Sequence, residues 1–251
     1  MMNTDFTTTR LNGKNVQIMV CATPERVMYF AREHKGHEGV KGTPVEDYQN
    51  TLVHDHDKTF YSYGGSHQEC MGHPLRYLQD SINNEPGLKW NQQMRGLIQE
   101  MTHYRNSLDS DEPLDPKRVR EFEDRYQEIL ALAYEEYTYE PPSNYYKDGY
   151  NLCKRLDEYA DSHLLFLHDK NVPATNNLAE RLLRIWKRKQ RQVMTFRGFE
   201  SIDCLCESMG IIDLLRNQEE NLYQSVSSVF DRVKYFYHSG TNESSCQDCI
   251  R

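Results

Sequence analysis

The hydrophobic period of the chain changes once, and that change decides most of what it can fold into. Over roughly the first sixty residues apolar side chains alternate with polar ones, as in a strand; from Pro74 onward they recur every three or four residues, as on one face of a helix. Phe6–Leu11 and Val16–Ala22 flank Asn12-Gly13, a pair that takes up the positive φ angles of a tight hairpin, so two antiparallel strands are expected there. Val27–Arg32 reads as a third strand and Thr51–His54 as a fourth. Between them, Thr43-Pro44-Val45-Glu46 carries a cap, a first-turn proline and a capping-box glutamate, which predicts a short helix start. The expected opening is β-β-β-α-β.

Three helical stripes follow: Met94, Leu97, Ile98, Met101; Val119, Phe122, Tyr126, Ile129, Leu130, Ala133; and Leu152, Leu156, Tyr159, His163, Leu164. Breaks fall at Glu85-Pro86-Gly87, Asp109–Pro116 and Glu140-Pro141-Pro142-Ser143. A last helical stretch is expected from about Ser201 to Tyr237, broken near Asn217–Asn221, with a polar tail from Ser239. The 251 residues suffice for a sizeable core, and 17 Tyr and 9 Phe add apolar bulk to a chain only 37% hydrophobic. No run of eighteen apolar residues and no secretory pattern at Met1–Asp5 is present, so a cytoplasmic, non-membrane protein is expected. Seven scattered cysteines read as reduced thiols.

The formal charge of −8 argues at first against a nucleic-acid partner. Its distribution reverses that inference. Ser107–Glu140 holds eleven acidic and four basic residues, a net of −7, whereas Arg181–Arg197 holds seven basic residues and no acid. On the helix predicted there, Ala179, Leu182, Leu183 and Trp186 form the core stripe. Glu180 heads a neighbouring ladder of Arg184, Lys187, Arg188 and Arg191. By spacing, Glu180 and Arg184 are an i,i+4 ion pair on a solvated face; chemically, the same glutamate can hold a divalent cation while the ladder tracks a phosphate backbone. An Asn or Thr before Leu178, in Thr175-Asn176-Asn177, is placed to cap this helix.

Val53-His54-Asp55-His56-Asp57 ends the fourth strand. In extended chain Asp55 and Asp57 share one face, His54 and His56 the other; either the acids project into a cleft or the segment is a polar loop. A zinc site on His54 and His56 lacks a complementary pair. His67-x-x-Cys70-x-x-His73 has ligand types at compact spacing, and Cys246-x-x-Cys249 stands without a second pair.

Taken in order, these pieces resemble the catalytic region of bacterial DDE transposases of the insertion-sequence sixty-six family. Asp5-Phe6-Thr7 resembles the family's first Asp element, and Leu52-Val53-His54-Asp55 with Phe60-Tyr61 its second. Cys70-x-x-His73-x-x-Arg76 is similar to its Cys-x-x-His element after the next strand, and Asn176-Asn177-x-Ala179-Glu180-Arg181-x-x-Arg184 to its C-terminal signature. The resemblance implies a ribonuclease H-like α/β fold: a mixed sheet with flanking helices and an α-helical insertion between the second Asp strand and the Glu helix. Its parts would be 1–73 and 163–238 for the core, 74–162 for the insertion and 239–251 for a flexible tail. It implies Asp5, Asp55 and Glu180 as the catalytic, metal-holding acids, with Cys70, His73, Asn176 and Asn177 in support. Oxygen ligation of this kind suits two Mg2+ or Mn2+ ions. Arg181, Arg184, Lys187, Arg188, Arg191 and Arg197 would hold DNA, both transposon ends and target, in a nucleoid-associated protein that self-associates. Family members generally carry a long N-terminal DNA-recognition region, and this sequence starts four residues before Asp5. Recognition would then fall to a separate protein, or the chain would be a truncated, non-catalytic DNA-binding remnant. A nuclease without strand transfer would use the same acids.

Overall fold

A computed structural model describes residues 1–109, 112–138, 144–193, 195–217 and 221–228; of 144–147 only the backbone is described. The expected hairpin is present as β1 (Met2–Leu11) and β2 (Lys14–Ala22), with φ of 50° at Asn12 and 78° at Gly13. β1 begins earlier than the apolar alternation suggests, so that Asp5 lies within the strand, opposite Val20. β3 (Val27–Arg32) pairs antiparallel with β2, while β4 (Thr51–His54) and β5 (Ser66–Glu69) run parallel to β1. The sheet order β3-β2-β1-β4-β5, flanked by helices, is a mixed α/β arrangement consistent with a ribonuclease H-like fold. Gly65 permits the close return into β5, since a Cβ there would stand 2.3 Å from the Gln49 carbonyl oxygen.

The expected helix at Thr43 does not form. One turn, α1 (His37–Val40), precedes it, and 43–47 are turns. The capping signals are diverted: the Thr43 hydroxyl donates to the Val40 carbonyl at 2.6 Å, and Glu46 accepts from the Gly42 amide at 2.6 Å. Side chains that close isolated turns in this way compete with helix propagation.

β2 is buried on both faces. Val16, Ile18, Val20 and Ala22 pack with Tyr29 and Ala31 against Ala179, Leu182, Leu183 and Trp186 of α7 (Asn177–Val193) and Ile202 and Cys206 of α8 (Phe199–Arg216). Met19 and Cys21 point the other way, to Phe6, Val40, Val45, Leu52 and Phe60. The predicted core stripe of α7 is therefore the observed one. Past α8, 222–228 is helical; the rest of the expected last helix, and Cys246 and Cys249, lie outside the described residues.

The middle of the chain supplies α2 (Gly72–Asn84), α3 (Trp90–Ser107), α4 (Pro116–Glu136), α5 (Asn144–Glu158) and α6 (Ala160–Leu164). α4 starts where Asp115 accepts from the Lys117 amide at 2.9 Å with proline at the first helical position. Trp90, Phe122, Tyr126 and the predicted stripes close one core that also takes in Val53, Met71, Val172 and Ala174, so this helical layer is packed onto the end of β4.

Candidate active site

The parallel register of β1 and β4 pairs Met2 with Leu52 and Asn3 with Val53, an offset of fifty positions that, continued past β4, sets Asp55 level with Asp5. In β5 the chain runs alongside, and the Cys70 amide donates to the His54 carbonyl at 2.8 Å, which brings Cys70 to the same end of the sheet. One turn later His73, in the first turn of α2, places Nδ1 3.1 Å from Asp55 Oδ1.

Glu180 arrives from α7, whose start is anchored by a buried asparagine. Asn176, one of the residues expected to cap the helix, turns its side chain to β1, where it donates to the Thr4 carbonyl and accepts from the Asn3 amide group, both at 2.9 Å. The Asn176 carbonyl still accepts the Glu180 amide at 3.1 Å. The preceding loop is tied down too, because Ala174 O accepts from the Met71 amide at 3.0 Å. As a result, ligand atoms of Asp55, Cys70, His73 and Glu180 all lie within 4.8 Å of one another.

Asp5 stands outside that tight group yet feels its charge. Burial, then the Asp55 carboxylate, push Asp5 up to about 7; Glu180 adds to this, while its bond from the Phe6 amide and the charge of Lys35 oppose it. His73 is held up to about 10, first by Asp55 and next by Cys70. At about 5 Å and an effective dielectric of about 20, two like charges repel by about 3 kcal/mol. Such a set calls for a cation or a bound proton; in the protein alone His73 faces Asp55, Arg184 pairs with Glu180 and the charge of Lys35 acts on Asp5.

Other expected members separate from this centre. Asp57 does not share the cleft with Asp55: its carboxylate accepts from the Thr59 amide at 3.0 Å and closes a turn. His54 is fully buried and donates from Nδ1 to the Asp55 carbonyl at 2.6 Å, while His56 Nδ1 lies 2.7 Å from Glu69 Oε2, so the two histidines share no site. Glu180 makes the i,i+4 pair with Arg184 at 2.8 Å as well as facing Asp55. In the basic ladder Arg181, Arg184, Arg188, Arg191 and Arg197 are exposed, but Lys187 is half-buried, donates to the Thr8 carbonyl and is shifted downward by burial. Asn177 lines a shallow concavity with Leu178, Arg181 and Arg184. Lys35, near Asp5 from the loop after β3, carries no local sequence signal.

Residues 2–201 match the family described as Transposase IS66 family. The chain belongs to this family. Neither the curated proteins nor the solved structures returned a match. Membership supports a transposase role for this IS66-family chain and hence DNA as its substrate, and it fits the use of a divalent metal, for which the cluster at Asp55 and Glu180 offers carboxylate ligands. No described helix is long and apolar enough to cross a membrane.

Proposed function

We propose that this transposase cuts and joins DNA strands at a site formed by Asp5, Asp55 and Glu180. The observation that carries the reading is the meeting of acids at one end of the sheet: ligand atoms of Asp55 and Glu180 lie within 4.8 Å of one another, and burial, then the charge of Asp55, raises Asp5 to about 7. Their oxygen donors fit Mg2+ or Mn2+, and the three residues would hold one or two such ions. When bound there, the metal supplies the charge that activates a water or a DNA 3′-hydroxyl and steadies the leaving oxygen of an in-line displacement. Asp55 and Glu180 sit at the ends of rigid elements, so the acceptor geometry is preorganised. Asp5, at mid-strand and raised to about 7 by burial and then by Asp55, would be the acid whose ionised form a bound cation favours. Arg181, Arg184, Arg188, Arg191 and Arg197 bind the phosphate backbone and place a scissile phosphate over the carboxylates. In this reading 1–73 and 163–238 are the ribonuclease H-like core, 74–162 is its helical insertion, and self-association or a separate end-recognition protein completes the assembly.

The Glu180–Arg184 pair favours a competing reading, in which the acid only solvates a DNA-binding helix. Glu180→Gln separates them. Mg2+-dependent nicking of DNA bearing the element's inverted repeats should fall to background, with salt-sensitive DNA binding nearly unchanged; undiminished nicking overturns the catalytic assignment.

A further inference from the structure

The tight group at the sheet end is not an all-oxygen site. It contains one thiol, one imidazole and two carboxylates, and Asp5 is not in it. Soft sulfur and nitrogen donors raise affinity for zinc-like ions far more than for Mg2+, which takes oxygen and keeps its waters. Four protein ligands of these types complete a tetrahedral zinc shell, with ligand atoms about 2.0–2.3 Å from the ion and hence about 3.3–3.8 Å apart. Mutual distances within 4.8 Å need only small side-chain rotations to reach that.

The supports are rigid where they need to be. Cys70 is buried and its backbone is fixed by the amide bond to the His54 carbonyl. Cys70 and His73 form a chelating pair one turn apart, joined by the bond from the His73 amide to the Cys70 carbonyl at 3.3 Å. Asp55 and Glu180 are 26% and 23% exposed, which leaves a route for an ion from solvent. Among the described residues no other group of three or more such ligands gathers in this way.

We propose that Asp55, Cys70, His73 and Glu180 form a Zn2+-class site that shares two carboxylates with the Asp5–Asp55–Glu180 centre, so that Zn2+ and Mg2+ exclude each other. Zinc bound here fills its coordination shell with protein and leaves no position for water or phosphate, which makes it an inhibitor. Only this second consequence rests on the catalytic reading; the zinc site itself does not.

The test is a Co2+ titration of the full chain in a Cys204→Ser, Cys246→Ser, Cys249→Ser background, which removes the exposed cysteine and the tail pair as competing thiols. A thiolate-to-cobalt charge-transfer band with intense tetrahedral d–d bands is expected, displaced by equimolar Zn2+. Adding Cys70→Ser should abolish the charge-transfer band with the circular dichroism spectrum unchanged. His73→Gln should weaken Co2+ binding at least tenfold or so, the lower end of what losing even a supporting contact to a ligand costs. If Cys70→Ser does not fold, His73→Gln decides. Absence of a thiolate band, its survival in Cys70→Ser, or unchanged affinity in His73→Gln overturns the site. Asp5→Asn keeps the two readings apart, because it should leave the cobalt spectrum intact while Mg2+-dependent nicking is lost. Full nicking by Asp5→Asn overturns the catalytic reading and leaves the zinc site standing, and nicking by the wild type that resists equimolar Zn2+ overturns the competition.

Discussion

Two acidic centres lie on neighbouring strands, and they are compensated in opposite ways. At Asp5, Asp55 and Glu180, carboxylates face carboxylates, and Asp5 is pushed up to about 7 by burial and then by Asp55. At the end of β5, the fully buried Glu69 is enclosed by three donors, His56 Nδ1 at 2.7 Å, the Tyr61 hydroxyl at 2.8 Å and the Arg155 guanidinium, with His163 Nε2 3.3 Å away. Burial alone would raise its pKa, yet His163, His56 and Arg155 together hold it below the usual carboxylate range. A saturated acid such as Glu69 is a strut joining β5 to α5 and α6. An under-compensated set still has a charge to satisfy, which suits it to bind something.

The contrast can be broken at either end. The largest effect is expected from Asp55→Asn, which should cut Mg2+-dependent nicking more than about a hundredfold, beyond what removing a contact that merely supports a ligand costs. Arg155→Met strikes the saturated centre instead. It leaves a buried charge short of its partner and should lower stability by about 3–5 kcal/mol in urea unfolding, with DNA affinity of the folded fraction retained. Intermediate in size is Asn176→Ala, which strands polar groups of β1 and should cost about 1–3 kcal/mol while also lowering nicking, since Glu180 loses its anchor.

The two centres also respond to pH with opposite signs. Glu69 has a depressed folded pKa, so its stabilisation is present above the unfolded value near 4.3 and is lost as pH falls below it. Asp5 has a raised one, so the folded protein loses stability as pH rises from the unfolded value near 3.9 through about 7. Without divalent cation, Asp5→Asn should therefore melt higher than wild type at pH 8 and nearly level with it at pH 4; a lower melting temperature at pH 8 would show that Asp5 is stabilising. The smallest effect belongs to Arg188→Ala, which should weaken DNA binding uniformly across sequences and reduce the salt slope by about one.

Much of this was legible in sequence because the signals are local. Asn12-Gly13, the α7 core stripe and the stripes of α3 and α4 each report on their own neighbourhood, and each is realised. β5 shows no such signal: Ser66-His67-Gln68-Glu69 is polar, and Gln68 and Glu69 are buried because Phe166, His163 and Arg155 satisfy them from far along the chain. The same limit applies to the site. Its acids could be named one by one from motifs, whereas the meeting of Cys70 and His73 with Asp55 and Glu180, and the approach of Lys35 to Asp5, depend on topology rather than on spacing. At Thr43 the capping signals were present and failed, because each side chain closed a single turn first.

The bonds from Asn176 to Asn3 and Thr4 join positions 173 and 172 residues apart. A ribosome therefore delivers the two strand aspartates long before the residue that seats their third partner. While the first half of the chain is emerging, the nascent protein carries no complete set of these acids, and the proposed centre is assembled only when α7 docks. Synthesis order thus acts as an interlock: a chain broken off anywhere before α7 lacks Asn176 and Glu180 and cannot assemble the proposed centre.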